Sequence, residues 1–234
     1  MPTSTPRPLQ ILSLVTAVMA LIALGLVFFY AQTEVTMGEV QRIFYFHVPS
    51  AWVGFLAFFV TLVAGIAFLR TGDYKWDRVG FSSVEIGITF SAMTLLSGVL
   101  WGRPAWNTWW TWEPRVTTYT IMLLLYFAYL MLRQSLEDPN RRARYAAVYG
   151  IVAFVSVPIT YFAIQLARSI HPVLFGPANP NAEGDSSLTP EMLQTFFFCL
   201  FFFTVLYATL LWHRLRLADH ADRVEQLKAK LMSA

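Results

Sequence analysis

Six stretches of apolar residues, separated by short polar intervals, organise the whole chain: roughly 9–30, 50–69, 84–101, 116–132, 146–166 and 191–212. Each is close to the ~20 residues a helix needs to cross ~30 Å of hydrocarbon. None alternates polar and apolar positions as a β-barrel strand does, so helices must satisfy the backbone inside the bilayer. The pattern predicts an all-α integral membrane protein of six transmembrane helices in one domain, followed by an amphipathic tail at 213–234. In that tail Leu217, Ala221, Val224, Leu227 and Leu231 recur close to a heptad, as on a surface-lying or partner-binding helix. Pro158 is expected to kink the fifth span. Ser82-Ser-Val-Glu85 has the form of a capping box and places the start of the third helix there. Gly98 and Gly102 form a GxxxG pair that permits close helix approach.

Composition supports the membrane assignment: 56% of the 234 residues are hydrophobic and only 13% charged, where a soluble domain carries about 25% charged residues. The first apolar run is longer than a signal-peptide core and lacks a small-residue cleavage site, so it is expected to be retained. The single cysteine, Cys199, lies within the last span as a packing or lipid-facing residue. No Cys-x-x-Cys-His is present, which excludes covalent c-type haem attachment to this chain. Alternating the spans from an inside N-terminus puts thirteen of the 17 Lys and Arg on one side and Arg42, Arg103, Arg115 and Arg168 on the other. The positive-inside rule then places both termini in the cytoplasm. Topology explains the basic excess, so nucleic acid is not called for.

On the outer side lies the segment Trp101-Gly-Arg-Pro-Ala-Trp-Asn-Thr-Trp-Trp-Thr-Trp-Glu-Pro-Arg115, with five of the eight tryptophans: Trp101, Trp106, Trp109, Trp110 and Trp112. Indoles suit a surface half oily and half wet. Arg103 and Arg115 match carboxylates bidentately, and Glu113 stands between them. A flat, greasy, anionic ligand such as haem fits this set, and a membrane-anchoring aromatic belt explains the rings as well. Pro104 and Pro114 each suit the opening of a helix. They predict a short interfacial helix over about 104–112, with Trp106, Trp109 and Trp110 on one face, and a fourth helix from Pro114. Two histidines fall in the flanking outer loops, His47 before the second helix and His171 after the fifth, and imidazole is the usual axial ligand of haem iron. The outer stretch 167–190, rich in Pro, Asn and Gly, is expected to cover the site. Walker A, Rossmann, Gly-x-Ser-x-Gly and His-Glu-x-x-His signatures are absent, so energy-driven transport would need another subunit.

The Trp101–Arg115 segment resembles the tryptophan-rich "WWD" signature of membrane haem-handling proteins in cytochrome c assembly. The chain as a whole resembles the haem exporter protein C family: six spans, similar length, the outward Trp-rich segment between helices three and four, and one histidine in each flanking loop. The resemblance implies that His47 and His171 are axial ligands to haem b (iron protoporphyrin IX) resting on Trp101, Trp106, Trp109, Trp110 and Trp112, with Arg103, Glu113 and Arg115 also in the site. It further implies a non-enzymatic role, with haem presented at the periplasmic face of the bacterial inner membrane to a membrane-anchored haem chaperone. ABC transporter subunits and a small single-span subunit are the other implied partners. The chain departs from the family's usual residues at Asn107, commonly glycine, and at Glu113-Pro114, commonly aspartate and a non-proline. The rival expectation is a substrate-translocating permease or channel subunit in which the Trp segment is only an anchor.

Overall fold

The computed structural model describes residues 5–172 and 188–232, and among them six helical stretches are long and apolar enough to cross a membrane. α1 (Arg7–Gly25) runs on through a π-helical turn, Leu26–Tyr30. A short 3-10 turn, Glu39–Ile43, leads into α2 (Phe44–Thr71). α3 spans Tyr74–Trp106, α4 Pro114–Gln134, and the fifth crossing is divided into α5 (Pro139–Ala153) and α6 (Ser156–Leu166). α7 covers Pro190–Met232. The helices exceed the apolar runs because polar turns extend them past the hydrocarbon. Side-chain caps fix several starts: Asp73, Glu113 and Asp138 accept from the backbone N–H of Lys75, Val116 and Asn140, each satisfying an orphan donor of the first turn.

Four expectations need correction. The helix predicted over 104–112 is absent. α3 instead continues through Pro104 to Trp106 and stops where Asn107 takes the left-handed conformation, φ 54°. Thr108 then bonds Trp110 through its hydroxyl, a local side-chain turn that competes with a helix, so 107–113 is irregular and Trp106, Trp109 and Trp110 do not share a helical face. Glu85 is no cap: α3 starts eleven residues earlier, and Glu85 pairs with Arg214 of α7 at 2.7 Å. The Gly98/Gly102 pair seats rings rather than a second backbone. A Cβ on Gly98 would lie 3.0 Å from His47 Cε1, and one on Gly102 3.3 Å from Trp106 Cε3. His47 stands in the first turn of α2, not in a loop. The expectation at Pro158 holds: its ring lacks the N–H that would bond the carbonyl of Phe154, and the fifth crossing breaks at Phe154–Val155. Most of the stretch expected to cover the site, residues 173–187, lies outside the described residues.

α2 and α3 form the central pair, with α1 and α7 against one side and α4, α5 and α6 against the other. Val53, Phe90, Phe196 and Cys199 belong to the first core cluster, and Phe58, Tyr119, Met122 and Tyr126 to the second. Cys199 is thus a packing residue. Phe58 and Tyr126 stack with centroids 3.5 Å apart. Close approach of α2 and α3 depends on Gly87, where a Cβ would lie 2.6 Å from a Phe58 ring carbon and 3.0 Å from Ala57 Cβ. Gly87→Leu is therefore expected to overpack this contact by about 1–3 kcal/mol, read as a lower melting temperature of the purified protein. A melting curve superimposable on wild type would show that the pair is not held this tightly. At the polar end, Arg133 of α4 grips Asp77 of α3 through two bonds of 2.5 and 2.9 Å.

Candidate functional site

The first turn of α2, the last turns of α3, the 107–113 segment and the residues after α6 converge at one end of the bundle. His47 and His171, 124 positions apart in sequence, have ring centroids 6.5 Å apart and planes tilted by 37°. Two imidazoles facing one metal through bonds of about 2 Å keep their centroids roughly 6 Å apart, so the observed spacing leaves room for one ion between the rings. Trp106 lies against His171 at 6.1 Å, and Trp101 meets Trp106 edge-on at 5.1 Å.

Hydrogen bonding decides which nitrogen of the His47 ring carries the proton. Ser97 Oγ lies 3.0 Å from His47 Nδ1, and the Ser97 hydroxyl points at the carbonyl of Met93, 2.7 Å away. A serine has one proton to give; with that proton on the helix carbonyl, Oγ accepts from His47 Nδ1–H. The lone pair of His47 is then on Nε2. On the other ring, His171 Nδ1 lies 3.5 Å from Glu113 Oε1, and an ionised carboxylate only accepts. At 3.5 Å this contact is electrostatic rather than a made hydrogen bond, and His171 Nδ1 is buried without a hydrogen-bond partner. Pairing of the second ring nitrogen with a carboxylate or other acceptor is how proteins orient ligating histidines.

Glu113 ties the site together. Its side chain is 7% exposed, caps α4 through Val116 N–H at 2.7 Å and accepts from the Ser169 hydroxyl. Ser169 in turn accepts from His171 N–H at 3.1 Å. Burial alone would raise the Glu113 pKa, but the His171 ring beside it and the bonds from Ser169 and Val116 outweigh it and hold the carboxyl at about 2. It therefore remains an anion at neutral pH. Pro114 follows as the first residue of α4, where a missing N–H costs nothing. Asn107, like glycine, tolerates the left-handed conformation that ends α3. Both departures from the family's usual residues thus have a local structural account.

The remaining expected residues lie farther along the same segment. Trp109 and Trp112 are 58% and 81% exposed, Arg103 packs over Trp109 at 5.8 Å and donates to Asn107 Oδ1, and Trp110 meets Trp112 edge-on. Arg115 turns inward and donates to the Tyr161 carbonyl at 2.7 Å, while its Nε is buried without a hydrogen-bond partner, as are Trp110 Nε1 and Thr111 Oγ1. Arg42, another arginine of the outer side, is spent on the carbonyls of Val27 and Ala31 and on Glu39. Sequence reasoning missed Ser97 and Ser169. Ser97 is one helical turn before Trp101, the only hint the sequence offered. Ser169 is buried by contacts that sequence does not reveal.

Among the described residues no group of three or more His, Cys, Asp or Glu side chains is placed to hold a bare metal ion. Two imidazoles at this spacing suit iron whose remaining positions are filled by a flat macrocycle, and the neighbouring indoles offer the apolar surface such a ring needs.

Comparison with known proteins agrees with this chemistry. The family described as heme exporter protein C matches residues 3–230. A heme exporter protein C of Bradyrhizobium diazoefficiens is 32% identical over 84% of this chain and 74% of its own length. The heme exporter protein C of Haemophilus influenzae is 29% identical over 86% of this chain and 80% of its own. A putative cytochrome c biosynthesis ccmC-like mitochondrial protein of Marchantia polymorpha is 26% identical over 87% and 86%.

Proposed function

The chain belongs to the haem exporter protein C family, and from that membership we propose that it carries haem b as cargo between His47 and His171 and delivers it for cytochrome c assembly. The observation that carries this is the pair of imidazoles with centroids 6.5 Å apart, the His47 ring bonded at Nδ1 to Ser97 and the His171 ring lying beside the Glu113 carboxylate. Ser97 and Glu113 act as positioning residues: Ser97 bonds the His47 ring, and Glu113 sets its charge beside the His171 ring. Trp101 and Trp106 beside the histidines line the macrocycle, and exposed Trp109 and Trp112 extend the apolar surface outward. Arg103 and the unbonded Nε of Arg115 supply positive charge for propionates, with Trp110 Nε1 and Thr111 Oγ1 as further unspent polar atoms.

The role is binding and delivery rather than catalysis. The recipient is a membrane-anchored haem chaperone that meets the Trp-bearing face, and ABC transporter subunits and a small single-span subunit complete the assembly. The orientation follows the charge: thirteen basic residues on the opposite side put both termini in the cytoplasm and the histidines on the periplasmic face of the inner membrane.

Titration of haemin into the purified protein in lipid nanodiscs tests the proposal. One haemin per chain should bind, with quenching of tryptophan fluorescence and a six-coordinate spectrum; an unchanged spectrum of free haemin would contradict it. Ser97→Ala removes the acceptor from His47 Nδ1–H and should weaken haemin affinity about tenfold, the lower end of what outer partners of metal ligands contribute. Ser97→Thr, which keeps the hydroxyl, should restore most of it. Equal affinity in wild type and Ser97→Ala would remove Ser97 from the site.

A further inference from the structure

α7 is much longer than its span. Its 43 residues form one unbroken helix, Pro190–Met232, about 64 Å at 1.5 Å per residue, against the ~30 Å of hydrocarbon. Within the bundle one face of α7 packs on α1: Thr209 and Thr16 hydroxyls are 2.8 Å apart, and His213 Nε2 is 2.8 Å from Ser13 Oγ. α1 begins at Arg7, and beyond that point no other described helix covers the same face of α7. At heptad spacing it presents Leu217, Val224, Leu227 and Leu231, which are 49–79% exposed. The opposite face is turned to the bundle, where Asp219 and Asp222 lie 3.5 and 3.4 Å from Arg78 of α3. Arg216, Arg223 and Lys230 recur every seven residues along one edge of the apolar seam, and Lys228, paired with Glu225 at 3.0 Å, lies on the other.

We propose that this seam docks an acidic amphipathic helix of a partner protein on the side of the membrane that carries the basic residues. The seam continues an interface already filled inside the bundle by a helix, α1, so a helix is the shape that fits its extension. Its basic edges select the partner's charge, as edge residues do in coiled coils. A second copy of this chain is the wrong partner: parallel pairing would set Arg223 against Lys228 of the copy, and like charges at the edges oppose it. A lipid surface would require α7 to turn sharply on leaving its span. Such bends need a proline, a glycine or a bulge, and after Pro190 the helix contains neither glycine nor proline and is uninterrupted.

The test uses the full protein in phosphatidylcholine nanodiscs and a fluorescein-labelled synthetic helix of about three heptads, with leucine at the seam and glutamate at both edges. Anisotropy should report binding at low salt that weakens at least tenfold when ionic strength is raised well above physiological. A twin peptide with lysine edges should bind at least tenfold more weakly than the acidic one. The double variant Val224→Asp/Leu227→Asp should lose binding while keeping the melting temperature of the bundle. Equal binding of the two peptides, or no binding of either, overturns the proposal. So does a dimer of the protein that the double variant dissolves. Loss of peptide binding when phosphatidylglycerol replaces half the lipid overturns it too, because the seam would then be held by the membrane.

Discussion

Alanine at His47 or at His171 is expected to reduce the haem retained by the purified protein at least tenfold, and the double variant should retain none. The two rings lie 6.5 Å apart between centroids, and no other His, Cys, Asp or Glu is grouped with them as a metal site among the described residues. Loss of either therefore leaves the iron one ligand short. Removing only an outer partner of a metal ligand already costs 10–100-fold in affinity, so loss of the ligand itself must cost at least as much. The two variants differ in what they disturb. His47 fills the recess that Gly98 leaves on α3, so His47→Ala opens a small cavity. His171 is held from the other side by Glu113 and the residues after α6. Added imidazole can enter the His47 recess and should restore the spectrum of that variant. Haem content unchanged in both single variants would move the binding site elsewhere.

Glu113→Ala is expected to have the second-largest effect because one carboxylate serves three elements. Its loss removes the cap of α4, worth about 1 kcal/mol. It also takes the acceptor from Ser169 and the charge from beside the His171 ring, so haemin affinity should fall about 10–100-fold. Glu113→Gln separates these roles: the amide oxygen can still cap Val116 N–H, while the charge that orients His171 is gone. At neutral pH it should therefore melt between Glu113→Ala and wild type, and bind haemin clearly more weakly than wild type. The sign of the pH dependence follows from the low carboxyl pKa. A group held at about 2 instead of its ordinary 4.5 contributes stability that is complete above the ordinary value and fades as pH falls toward the lower one. Wild type should lose stability relative to Glu113→Gln within that acid window and not between pH 5 and 7. A difference confined to pH 5–7 would assign the titration to another group.

The six spans were legible because the bilayer demands about twenty apolar residues per crossing, and the chain keeps charges out of those stretches. The meeting of His47, His171 and the tryptophans was legible only as a shared membrane side. Sidedness placed them in one plane, and packing of α2, α3 and the residues after α6 brought them into contact. Pro158 also announced its break correctly, since a missing N–H acts wherever the proline stands. Pro104 misled because a proline that suits a helix start is also tolerated near a helix end, and Asn107 with Thr108 decided the boundary. Ser82 and Glu85 have capping-box spacing, yet Asp73 caps the helix farther upstream and Glu85 meets Arg214, a pairing across the fold that no local pattern contains. Ser97 and Ser169 escaped notice for the same reason: a serine hydroxyl gains its role from the ring it faces. Gly98 was read as a helix-contact glycine, and its neighbour turned out to be the His47 ring.

The central claim, that both histidines ligate one iron, is tested most directly by pulsed electron paramagnetic resonance of the ferric protein in nanodiscs, with its histidines labelled with ¹⁵N. The account predicts a low-spin signal with couplings to two imidazole nitrogens, one of which disappears in His47→Ala and the other in His171→Ala. A high-spin signal, or couplings to a single imidazole that persist in either variant, would contradict it.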